Sequence, residues 1–273
     1  MMSTPHSEAP PPYIPPPSEA PRKEILPLPW SAPWSWLVSG WSDMRAFPGI
    51  SGFYGCAFWL MAFILGAVFR SKPEYTMTIA SGCLLLGPFL AMGLYDVSRR
   101  REEGSLPTWA LSASCWRSHV RSMGMLVLVL IVLELLWGRA SLVVFAVFFN
   151  TGMPSTASVM EAVFNPQNWE FVLVYTVVGG GFAMLVYSIA AVSIPMILDR
   201  DTDAISAAIT SLEVVFHNTP VMLLWGATIT FLTALALLLP LGLGLLVVGP
   251  LLGHASWHAY RGAVRWPQDG TVT

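Results

Sequence analysis

From Val221 to Tyr260 the chain runs 40 residues without a Lys, Arg, Asp or Glu. As one helix at 1.5 Å per residue this run would be about 60 Å long, twice a hydrocarbon core of about 30 Å. It must therefore fold back on itself, and Leu239-Pro240-Leu241-Gly242 is the turn-like sequence near its middle. The run reads as two spans with a very short connection, at 220–239 and 242–260. The same reading places spans at 50–69, 76–97, 123–149 and 170–198, which makes six.

Composition agrees with a membrane solvent. Charged residues are 11% of the chain, against about a quarter in soluble domains, and mean hydropathy is +0.61. A net charge of -2 gives no electrostatic reason for a nucleic-acid partner. Cys56, Cys83 and Cys115 form no CxxC pattern and read as small apolar residues. Residues 1–33 hold 11 of the 22 prolines and read as a disordered, partly polyproline-II cytoplasmic tail without a signal-peptide apolar region. The membrane domain is expected over 34–265, followed by a short tail at 266–273.

Basic residues orient the spans. Eleven of the 14 fall on one side: in the tail before the first span, in the connections after the second and fourth, and after the sixth. Arg70 and Lys72 lie on the other side, and Arg139 falls inside the third span. By the positive-inside rule both termini face the cytoplasm.

Each odd-numbered span follows a short stretch with an apolar helical stripe: Trp34, Leu37, Trp41 and Met44; Trp109, Ala113, Trp116 and Val120; Ile205, Ile209, Leu212 and Phe216. These predict helices lying in the cytoplasmic interface. The even spans echo one another, since Gly87-Pro88 and Gly249-Pro250 precede Arg99 and Arg261 by the same interval. Pro195 and Arg200 make a shorter, imperfect third copy. The expected fold is thus all-α and polytopic: six transmembrane helices as three hairpin repeats, kinked at Pro88, Pro195 and Pro250.

Three motifs carry a family resemblance: "GPFLAMGLYDVSRR" at 87–100, "SIPMILDRDTDA" at 193–204 and "GHASWHAYR" at 253–261. From about Trp34 to Arg265 the chain resembles bacterial integral-membrane proteins grouped as domain of unknown function 2189. The resemblance implies a six-span inner-membrane protein with no assigned activity.

Candidate chemistry is sparse. Glu134 and Arg139 are charged groups within a span, about 140° apart around a helix, so they do not form an ideal intrahelical pair. Asp199, Asp201 and Asp203 alternate like the start of a calcium loop. Ala204 and Thr210 then stand where that loop needs glycine and glutamate. Asp203 reads instead as a helix cap, with Arg99, Arg200 and Arg261 at the cytoplasmic interface. His254 and His258 share a helix face and could chelate a metal or haem, with His217 and His119 as the candidate further ligands at the same membrane face. No HExxH, CxxCH, GxSxG or Walker sequence occurs, so no cofactor and no enzyme activity are predicted. The expectation is an accessory, assembly or membrane-organising protein whose partners are the bilayer and a larger membrane complex. A small-solute transporter or channel is the first alternative, and a metal- or haem-binding redox protein the second.

Overall fold

The computed structural model describes residues 23–72, 75–149 and 165–266. Expectations for residues 1–22 and 267–273, and for the connection at 150–164, fall outside the described residues. Within them the helices are α1 (Ala32–Ala46), α2 (Pro48–Ser71), α3 (Thr76–Glu102), α4 (Trp109–Ser114), α5 (Val120–Phe148) and α6 (Trp169–Ala190). They continue with α7 (Ser193–Arg200), α8 (Ala204–His217), α9 (Thr219–Leu238) and α10 (Leu245–Ala263). The protein is all-α and polytopic, with five helical segments long and apolar enough to cross a membrane: 48–71, 78–102, 109–148, 169–200 and 219–238. The uncharged run folds back after Leu238, where Leu241 and Gly242 both take positive φ (57° and 69°).

Two departures from the sequence reading have clear causes. Residues 23–33 are not a free tail. Glu24–Ile25 (β1) pairs antiparallel with Val264–Arg265 (β2), and Leu26 N–H donates to Ala263 O at 2.9 Å. Asn218 then clamps the segment, accepting from Leu28 N–H at 2.8 Å and donating to Leu26 O at 3.0 Å. These bonds satisfy backbone groups that the prolines leave without helical partners. Second, the kink expected at Pro195 is a full turn between α6 and α7, although 169–200 remains one segment long and apolar enough to span. Pro195 cannot donate to the Ala191 carbonyl, and Val192 N–H donates instead to Ser211 Oγ of α8 at 3.1 Å.

The main core gathers at the end of the bundle where β1 meets β2, hereafter the termini face. It packs Trp36, Met92, Tyr95, Met123, Met196, Trp225, Trp257 and Tyr260. Trp36 and Trp225 meet edge to face with centroids 5.4 Å apart. Helix α10 lies inside this core against α1, α2, α3 and α9, and glycines permit the contacts. A Cβ at Gly40 would lie 2.7 Å from Ala255 N, and one at Gly253 2.4 Å from Leu94 Cδ1.

The three short helical stretches turn their faces in an informative way. Helices α1 and α8 bury a different stripe, Trp36, Gly40 and Asp43 on α1 and Ala207, Thr210, Ser211 and Val214 on α8. Their apolar stripes point outward, with Trp34 at 72% and Phe216 at 74% exposure. The third stripe is not one helix. α4 stops at Ser114, a 3-10 turn spans Cys115–His119, and Val120 already opens α5.

Candidate functional site

The three sequence motifs converge on the termini face. Helix α3 brings Asp96, Ser98, Arg99, Arg100, Arg101 and Glu102 there; α7 ends in Asp199-Arg200; α10 brings His254, Trp257, His258, Tyr260 and Arg261. Their polar groups tie one helix to another.

Asp43 of α1 is the first knot. Its Oδ2 accepts from Ser98 Oγ at 2.5 Å and from His258 Nε2 at 2.8 Å, and its Oδ1 accepts from Arg101 Nη1 at 2.6 Å. Burial alone would push this carboxyl up, but the hydrogen bonds from His258 and Ser98 and the nearby positive charge outweigh it. Asp43 is held below the usual carboxylate range.

Behind Ser98 lies fully buried His254. Its Nδ1 is 2.8 Å from Ser98 Oγ and its Nε2 is 3.0 Å from Ser51 Oγ on α2. The Ser98 hydroxyl proton goes to the Asp43 carboxylate, so Ser98 Oγ must accept from His254 Nδ1–H. That leaves Nε2 as acceptor for Ser51 O–H. One direction of donation, Ser51 to His254 to Ser98 to Asp43, satisfies every member.

Asp96 is the second knot, with no exposed surface. Arg99 Nη2 and Arg100 Nε each donate to it at 2.7 Å, and Arg99 Nη1 reaches Leu198 O of α7 at 3.4 Å. Asp199 is the third, accepting from Arg200 Nε at 2.9 Å and Tyr260 O–H at 2.6 Å. Glu102 accepts from Trp257 Nε1 at 2.9 Å and Arg261 Nε at 3.0 Å. A cavity of about 380 Å³ opens among Arg99, Glu102, Asp199, Arg200 and Arg261.

The remaining candidates are dispersed. His119 pairs with Asp201 at 3.0 Å and His217 is exposed at the end of α8, so the four histidines do not meet. Among the described residues no group of three or more His, Cys, Asp or Glu is arranged to hold a metal. Asp203 caps α8, accepting from Ile205 N–H at 3.0 Å and Ser206 N–H at 2.9 Å. Hydrogen bonds from Ser206, side chain and amide, lead in holding its carboxyl below the usual range. Glu134 Oε2 is buried in α5 without a hydrogen-bond partner, and Arg139 is exposed without an ion pair among the described residues. Pro88 and Pro250 are buried inside α3 and α10.

Sequence reasoning passed over Asp43, Ser51, Ser98 and Glu102. Asp96 carried a readable signal, because Arg99 and Arg100 follow it at helical i+3 and i+4. Asp43 carried none: a lone carboxylate beside a tryptophan stripe reads as solvated.

The arrangement is suited to bracing. Of the two hydroxyls that meet the His254 imidazole, Ser51 lines none of the cavities described, and Ser98, which lines one with Asp43 and His258, already gives its proton to Asp43. No curated protein and no solved structure matches the chain. A family model, DUF2189, predicted integral membrane protein, matches residues 76–199. The match takes in "GPFLAMGLYDVSRR" and "SIPMILD", while "GHASWHAYR" lies beyond it, so it is shorter than the resemblance expected from Trp34 to Arg265. Residues 76–199, from the start of α3 to the Asp199 knot, are thus the part of the chain that matches the DUF2189 model of predicted integral membrane proteins.

Proposed function

We propose that this is a non-enzymatic accessory, assembly or membrane-organising protein of the bacterial inner membrane, with both termini in the cytoplasm. The observation that carries this reading is the use made of the polar motifs. Asp43, Asp96, Glu102 and Asp199 are each engaged by groups of this same chain, and those ties bind α1, α3, α7 and α10 into a fixed platform. The spans stay open to their surroundings: in the most apolar stretches of the α2 and α5 segments only 11% is buried within the protein. Such surface is covered by lipid or by another membrane protein.

In this reading α10 is the sixth span. Its 19 residues extend about 28 Å, close to a hydrocarbon core. The outward stripes of α1 and α8 lie in the cytoplasmic interface, and the echo of Gly87-Pro88 in Gly249-Pro250 reflects an internal repeat. The test is affinity purification of the full chain from its native membranes in mild detergent. Stable recovery with a larger complex supports the reading, and recovery alone counts against it.

One observation favours a second reading, a small-solute transporter or channel. An unpartnered carboxylate oxygen at Glu134 in the middle of α5 is what a cation or proton carrier places in a membrane. Flux into proteoliposomes that is lost in Glu134→Gln decides for that alternative.

A further inference from the structure

The cations of the termini face divide into two classes. Lys23 pairs with Glu213, Arg99 and Arg100 with Asp96, Arg101 with Asp43, Arg200 with Asp199, Arg261 with Glu102 and Arg265 with Glu24. Among the described lysines and arginines of this face, three remain: Arg45, Arg117 and Arg121. All three are exposed, and no acid among the described residues lies within ion-pair distance of any of them.

Their position is as distinctive as their lack of partners. Arg45 sits in the last turn of α1, at the bend into the apolar α2. Just beyond that bend Phe53 meets the half-exposed Trp109 edge to face, centroids 5.1 Å apart. Arg117 stacks 5.9 Å over the Trp116 ring, and Arg121 follows it by four residues as α5 begins its apolar run. Each free guanidinium thus stands beside tryptophan or at the end of an apolar helix, the depth at which aromatic rings and phosphates meet in a bilayer. Each central arginine has an acid within ion-pair distance, Arg99 and Arg100 sharing Asp96, so the guanidinium groups open to an outside anion lie on this rim.

We propose that Arg45, Arg117 and Arg121, with Trp109 and Trp116, form a binding rim for the phosphodiester headgroups of anionic phospholipids. Guanidinium forks pair with phosphate oxygens, and the indoles cover the glycerol and upper acyl region. The rim gives the membrane-organising reading its partner class, and it rests on that reading's placement of this face in the cytoplasmic leaflet.

The experiment is native mass spectrometry of the full-length protein in detergent with equimolar phosphatidylglycerol and phosphatidylcholine. Wild type is expected to retain the anionic lipid with about tenfold preference. The variant R45Q/R117Q/R121Q should lose that preference, R45K/R117K/R121K should keep most of it, and R70Q/K72Q at the opposite end of the spans should match wild type. Thermal unfolding in phosphatidylcholine alone identifies any variant that fails to fold. A well-folded glutamine triple with wild-type preference overturns the proposal. So does displacement of the lipid by millimolar inorganic phosphate, which indicates a soluble-anion site. Orientation is read separately, by labelling Ser105→Cys in a cysteine-free background with a membrane-impermeant thiol reagent. Labelling from outside the cell would sink the cytoplasmic placement whatever lipid is bound.

Discussion

Gly55 of α2 lies against the carbonyl of Leu246 on α10, the acceptor that Pro250 leaves without its intrahelical donor. A Cβ at position 55 would sit 2.2 Å from that oxygen and 3.1 Å from Pro250 Cγ. Only a residue without a side chain allows this approach, which gives the freed carbonyl a Cα–H neighbour. Gly55→Ala is therefore expected to destabilise the protein by about 1–3 kcal/mol through overpacking. Gly52→Ala, three residues away where a Cβ meets nothing within 4 Å, should change stability by less than about 0.5 kcal/mol. Thermal unfolding in one detergent compares them. Equal effects would contradict the packing account.

Asp43 ties three helices, so Asp43→Asn should cost about 1–3 kcal/mol, because Ser98 and His258 lose a charged buried acceptor while water compensates the exposed Arg101. The loss should appear first as faster amide exchange in α1. The pH dependence has a definite sign. Since the folded-state pKa of Asp43 is depressed, its stabilising contribution is full above the unfolded value near 4 and is lost as pH falls through the lower folded value. Wild type should therefore lose stability on acidification below about pH 4, and the Asn variant should show a shallower slope there.

His254 has both ring nitrogens engaged by serine hydroxyls, which leaves neither free for a metal or haem iron. Protein purified without chelator should contain no stoichiometric metal and show no Soret band. His254→Ala should leave that result unchanged while lowering stability by about 1–3 kcal/mol, because Ser51 and Ser98 lose partners in a buried setting. Metal that disappears with the His254→Ala substitution would overturn this view.

Glu134→Gln separates the two functional readings. In a passive accessory protein it removes an acid with an unsatisfied buried oxygen, so stability should hold or rise by about 1 kcal/mol, with no change in solute permeability of proteoliposomes. A loss of flux would show that the carboxylate works.

Much of the helical framework was legible because hydrocarbon and turn chemistry leave few choices. An uncharged 40-residue run has to double back, and it does so at Leu241 and Gly242; a carboxylate at Asp203 has to start α8, and it does. The pairing of Glu24–Ile25 with Val264–Arg265 was not legible, since two-residue strands have no periodicity and their partners lie at opposite ends of the chain. Nor was the inward face of α1. Its tryptophan stripe is the stronger sequence signal, yet the face that packs is Trp36, Gly40 and Asp43, chosen by how closely α10 can approach. The site followed the same division. Arg99, Arg200 and Arg261 could be named from the repeated pattern, whereas Asp43, Ser98 and Glu102 acquire meaning only when three helix ends converge.

The central claim is that the polar motifs brace a platform that serves a membrane assembly. The most direct measurement is quantitative mass spectrometry of the full-length protein affinity-purified from its native membranes, comparing wild type with Asp43→Asn under identical detergent conditions. The account predicts that wild type carries a reproducible set of membrane-protein partners and that loosening α1 in the variant strips them away. Wild-type protein recovered alone, with solute flux of its own after reconstitution, would contradict it.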